Sequence, residues 1–99
     1  TKVVDMVEEL RSYHAQVDIF DPCIDAAEAE HEYGYSVIKS WEELEKSAAD
    51  QGYDGIILAV AHDQFMEKTA ERFKALQKPN GVIFDIKGKL PQSIVDARL

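Results

Sequence analysis

The stretch Tyr53-Asp54-Gly55-Ile56-Ile57-Leu58-Ala59-Val60-Ala61-His62-Asp63-Gln64-Phe65 decides the fold. From Gly55 to Val60 it is apolar with no polar alternation, which predicts a short strand covered on both faces, as in the middle of a parallel sheet. A helical period follows at once: Phe65, Met66, Thr69, Ala70, Phe73 and Leu76 share one broad face of a helix predicted over residues 64–77. Strand and helix together open a β-α-β unit. The His62-Asp63 corner therefore falls at the carboxyl edge of the sheet, where open α/β sheets bind ligands.

Working outward from that unit, Thr1 can cap a first helix, whose stripe of Val3, Val7 and Leu10, with Val4 and Met6 beside it, runs to residues 12–14. Gln16-Val17-Asp18-Ile19-Phe20 alternates at period two and predicts a strand that Asp21-Pro22 stops, since proline cannot continue the ladder. Residues 25–32 are rich in alanine and glutamate and predict a short exposed helix closed by Gly34. Residues 35–38 predict a brief strand, and Ser40-Trp41-Glu42-Glu43 has the capping-box spacing that opens a helix to about Asp50. On the other side, Pro79-Asn80-Gly81 predicts a turn, Val82-Ile83-Phe84-Asp85 the last clear strand, and residues 92–99 are weakly patterned. The alternation starts on a helix, whereas right-handed β-α-β units begin on a strand. The expectation is an α/β, Rossmann-like, three-layer domain over residues 1–99 with a mainly parallel sheet, its first strand upstream of Thr1 in a longer protein.

Composition narrows the function. The 99 residues leave room for one core, and a formal charge of −8 argues against nucleic acid or an anionic membrane as the main partner, because either needs a basic face. No apolar run approaches the ~20 residues of a membrane span. The single cysteine, Cys23, has no internal partner for a disulfide, as suits a reducing cytoplasm. His14, His31 and His62 show no metal-ligand spacing, so no metal is expected.

Four blocks, in order, resemble one family. Val3-Val4-Asp5-Met6-Val7-Glu8-Glu9-Leu10, Val17-Asp18-Ile19-Phe20-Asp21-Pro22, the stretch from Tyr53 to Phe65, and Val82-Ile83-Phe84-Asp85-Ile86-Lys87-Gly88 closely resemble the C-terminal, UDP-binding domain of UDP-glucose/GDP-mannose dehydrogenases. The Ala59-Val60-Ala61-His62-Asp63-Gln64-Phe65 wording is most similar to bacterial members acting on UDP-N-acetylhexosamines. The resemblance implies a cytoplasmic, homo-oligomeric parent enzyme with an N-terminal domain that binds NAD, a central dimerisation region, and this domain helping to hold the UDP-sugar. It also implies oxidation of the sugar C6 alcohol to a carboxylate, through a thiohemiacetal and a thioester on a cysteine, to give a uronic acid for capsule or O-antigen synthesis.

The chain carries only part of that machinery. Cys23 lies between Pro22 and Ile24, outside the glycine-rich setting of the family's catalytic cysteine, and no Gly-x-Gly-x-x-Gly fingerprint offers a cofactor site. The family's Phe-Lys motif would precede Thr1. By itself, then, the chain is expected to be catalytically silent, with no catalytic, cofactor-binding or metal-ligating residue. The substrate-binding residue that the resemblance implies is Lys87: Asp85-Ile86-Lys87 matches the family's Asp-x-Arg or Asp-x-Lys element, whose cation reaches the nucleotide-sugar site. An ammonium at a strand's carboxyl end can act as a point charge for a diphosphate, without arginine's bidentate fork; the plainer alternative is a solvated surface lysine.

Other residues have plainer readings. Asp63 reads as the cap of the helix starting at Gln64. His62 stays open between ligand contact, domain contact and neither. Asp21-Pro22 reads equally as a cleft border or a turn, and Trp41 as core. Two other functions compete with the dehydrogenase. One is a phospho-receiver-type signalling module, suggested by Asp21, Asp85 and Lys87 but lacking the paired acids and central acceptor aspartate. The other is a Rossmann-like regulatory domain without a ligand.

Overall fold

The computed structural model describes residues 2–34, 37–60, 63 and 67–98, in two compact units, Thr1–Leu44 and Glu45–Leu99. In the first, α1 (Lys2–Ser12) buries Val7. It ends in a Schellman motif: Ala15 N–H donates to the Leu10 carbonyl (3.2 Å) and His14 N–H to that of Arg11 (2.9 Å). His14 takes the left-handed position, φ 67°, that glycine usually fills. The strand expected over residues 16–20 is reduced to one parallel bridge, Phe20 to Ile38, with Ile38 N–H on the Ile19 carbonyl and Asp21 N–H on that of Ile38. Its partner segment is cut short because Ser40 caps a helix two residues on.

The next two helices follow their caps. Helix α2 (Ala26–Tyr33) starts where the Asp25 carboxylate accepts the amides of Ala27 and Glu28, and ends at Gly34, φ 72°. Tyr35 and Ser36, from the expected brief strand, lie outside the described residues. Ser40 Oγ accepts from Glu43 N–H at 3.2 Å, the cap expected for α3 (Trp41–Ala49). Trp41 is buried, edge-on to Phe20 with ring centroids 5.7 Å apart, as its core reading requires.

The second unit holds a parallel sheet in the order β1 (Tyr53–Leu58), β2 (Gln77–Asp85), β3 (Ala97–Arg98), with α4 (Ala70–Lys74) between β1 and β2. The fold class is the expected α/β one. Its details differ in four places. The helix expected over 64–77 is not continuous, because Thr69 Oγ1 accepts from Arg72 N–H at 3.2 Å and starts a new helix there, leaving Phe73 and Leu76 buried as expected. Phe65 and Met66 lie outside the described residues.

The Pro79-Asn80-Gly81 turn is absorbed into β2 as an irregularity. Tyr53 pairs with Gln77 but Gly55 already pairs with Val82, so extra residues of β2 arch out of the ladder, where a proline without an N–H costs no pairing. Gly81 fits there because a Cβ would stand 2.8 Å from the Tyr53 carbonyl oxygen.

The strands are not covered on both faces. Register puts Leu58, Ile83 and Asp85 on a buried face with Ile56, and Gly55, Ile57, Val82 and Phe84 on the other, where Ile57 is 39% and Val82 51% exposed.

Finally, the weakly patterned tail supplies a strand. Asp96 grips Ile83 twice, its N–H on the Ile83 carbonyl and its Oδ2 accepting the Ile83 amide, both at 2.8 Å, which docks Ala97 beside Phe84.

Candidate functional site

Central strand β2 ends on Asp85, which is wholly buried, and the ladder runs one bond further, Ile86 N–H to the Leu58 carbonyl at 3.1 Å. A buried carboxylate is tolerable only if hydrogen-bonded. Here the next five residues fold back over it: Oδ1 accepts the amides of Lys87 (3.0 Å) and Gly88 (2.8 Å), and Oδ2 accepts that of Leu90 (2.7 Å). Gly88, at φ 66°, makes the reversal, and Leu90 is buried beyond it. Burial pushes the Asp85 carboxyl upward, but the amides of Leu90, Gly88, Lys89 and Lys87 outweigh it and hold the pKa below its ordinary value. Asp85 is therefore ionised at neutral pH, and both of its carboxylate oxygens are already engaged by main-chain amides.

The loop thus fixed carries Lys87 and Lys89, both exposed, at the carboxyl end of the middle strand of a parallel sheet. Lys87 stands at the strand end expected of it, with its main chain clamped to Asp85. The clamp itself was missed in the sequence, although an acid followed three residues later by glycine at a strand end is an Asx-type signal. What the arrangement offers chemically is a cation on a preformed loop, suited to an anionic ligand.

The remaining candidates are not brought to this loop by any described contact. His62 lies outside the described residues. Asp63 is exposed and its carbonyl accepts from Glu67 N–H at 3.3 Å, so it stands in a helical turn, while the amides it was expected to cap lie outside the described residues. Asp21, in the first unit, accepts Cys23 N–H on Oδ1 at 2.9 Å, which is its turn reading, and Cys23 is exposed. Among the described residues no three His, Cys, Asp or Glu cluster as metal ligands would. A dinucleotide needs free amides at a glycine-rich strand-to-helix turn. The sequence has no such fingerprint, and the glycine-bearing loop after β2 gives its amides to Asp85, so these residues do not fit the pyrophosphate of NAD.

Residues 1–92 match the model of the UDP-glucose/GDP-mannose dehydrogenase family, UDP binding domain. The chain belongs to that family. Among its relatives, a UDP-N-acetyl-D-glucosamine 6-dehydrogenase of Pseudomonas aeruginosa is 43% identical over 99 residues, and one of Salmonella typhi 39% identical over the same span. Each alignment takes in 100% of this chain and 22% of the relative, so the chain spans about a fifth of their length. Protein CapL of Staphylococcus aureus is 34% identical over 88 residues, which are 89% of the chain and 19% of that protein. No solved structure matches the chain significantly. Membership in this dehydrogenase family replaces the receiver-type reading, whose paired acids the sequence also lacks. The family's matched segment includes Asp85, Lys87 and Lys89.

Proposed function

We propose that this chain is the nucleotide-sugar-binding part of an NAD-dependent UDP-sugar 6-dehydrogenase, and that Lys87 meets the diphosphate of the UDP-sugar. One observation supports the proposal: within the stretch that matches the family's UDP-binding domain, Lys87 follows the carboxyl end of the central parallel strand, on a loop that a buried carboxylate keeps folded. The relatives named for UDP-N-acetyl-D-glucosamine support a UDP-N-acetylhexosamine as substrate.

In this reading NAD and the reactive cysteine belong to other domains of a longer, oligomeric, cytoplasmic bacterial enzyme, and the product is a UDP-uronic acid for surface polysaccharide synthesis. The chain's own share is binding: Lys87 supplies charge, and the Asp85 clamp spares the loop the ordering that binding would otherwise demand. No described helix is long and apolar enough to cross a membrane.

The test is calorimetric titration of the full-length parent with UDP. Replacing Lys87 by Ala should weaken UDP by about 10- to 100-fold, as loss of one charge-assisted contact does, and leave melting unchanged. Equal affinities would refute the role of Lys87.

A further inference from the structure

We propose that Asp85 is a positioning residue that acts as the loop's own anion: its carboxylate occupies the amide cradle of residues 87–90, so that an anionic ligand is held by the ammonium groups of Lys87 and Lys89 rather than by main-chain N–H groups. The proposal rests on the UDP-binding reading above and adds how that site is divided between side chain and backbone. A loop that turns through a left-handed glycine and converges several amides on one point is ordinarily an anion cradle. In this chain the point of convergence is filled from within. Three amides lie 2.7–3.0 Å from the two carboxylate oxygens, the carboxylate is 0% exposed, and it belongs to the strand that precedes the loop.

Two consequences follow from geometry. A phosphate cannot enter the cradle without displacing a buried carboxylate from the three amides that hold it. Lys87 follows Asp85 by two residues and its own amide is one of the three donors, so the start of its side chain is fixed while the ammonium is left in solvent. Gly88 serves this arrangement through its φ of 66° and not through close approach, since a Cβ there would meet nothing within 4 Å.

The test uses the full-length parent with amide and lysine side-chain labels, titrated with UDP. In the wild type, UDP should shift the Lys87 side-chain resonance and leave the Lys87, Gly88 and Leu90 amides slow to exchange and nearly unmoved. Large shifts and faster exchange at those three amides, with the Lys87 side chain shifting as well, would overturn this proposal and leave the UDP-binding reading standing. No response at any of these groups would overturn both.

A double-mutant cycle supplies the second arm. Asp85→Asn should weaken UDP about 10-fold with Lys87 and Lys89 present but less than about 2-fold in a Lys87→Ala/Lys89→Ala background, because the residue acts through those lysines. Equal losses in both backgrounds would show a merely structural role and overturn the assignment. Should Asp85→Asn fail to fold, the wild-type amide measurement decides alone.

Discussion

Replacing Asp85 by Asn removes a charge while keeping the shape, and its cost can be worked from the clamp. The amide oxygen of Asn can still accept from the Lys87 and Gly88 amides, now without charge assistance. Its NH2 group then faces the Leu90 N–H that Oδ2 accepts at 2.7 Å, donor against donor, in a site with no solvent to relieve it. One hydrogen bond to a charged group is worth about 1.5–3 kcal/mol, and weakening of the other two adds to that. The expected loss is about 2–4 kcal/mol, or roughly 8–30 °C in melting temperature at about 4–8 °C per kcal/mol for a chain of this size.

The pH dependence tests the cause. A carboxylate whose folded pKa is depressed contributes stability that is fully present above the unfolded value of about 3.9 and disappears as pH falls through the lower folded value. Urea unfolding of wild type and variant should therefore differ fully from pH 7 down to about 5 and begin to converge only as pH falls below about 4. A difference under about 0.5 kcal/mol at pH 7, or one that persists unchanged at pH 2.5, would refute the claim that an ionised carboxylate holds the loop.

Other positions separate backbone strain from steric exclusion. His14→Gly should stabilise the protein by about 0.5–1 kcal/mol, read from thermal melts, because His14 holds the left-handed Schellman position at φ 67°. Gly52→Ala should cost about 2–4 kcal/mol in urea unfolding, since its φ of 81° is compounded by a Cβ 2.9 Å from the Gln77 carbonyl carbon and the Lys78 nitrogen, both main chain. Gly88→Ala, at a similar φ but with open space around the Cβ, should cost only about 1 kcal/mol in the same assay.

What could be read in advance was whatever a short segment decides alone. The apolar runs at β1 and β2 announced a parallel pair, and Ser40 and Gly34 announced helix ends, because caps and hydrophobic runs are written within a few residues. Features settled by distant partners were not legible. β3 exists because Asp96 grips Ile83 from thirteen residues away, and neither Ala97 nor Arg98 has a strand's pattern. The helical stripe over 64–77 is real as a pattern, yet Thr69 offered its hydroxyl to a new helix start and the local hydrogen bond prevailed over the period. An apolar strand can equally be buried on one face, as the exposure of Ile57 and Val82 shows, since hydrophobicity reports preference and not coverage.

At the site, Lys87 was legible only through the family resemblance, because a lone lysine after a strand is usually just solvated. The burial of Asp85 was hidden for a related reason. An acid at a strand end reads as surface until its amide partners are known.

The most direct test of the account is a crystal structure of the full-length parent with UDP bound. It should place the Lys87 Nζ within about 4 Å of a diphosphate oxygen, the reach of an ion pair, with the Asp85 carboxylate still holding the amides of Lys87, Gly88 and Leu90. A diphosphate bound remote from residues 86–90 would contradict it.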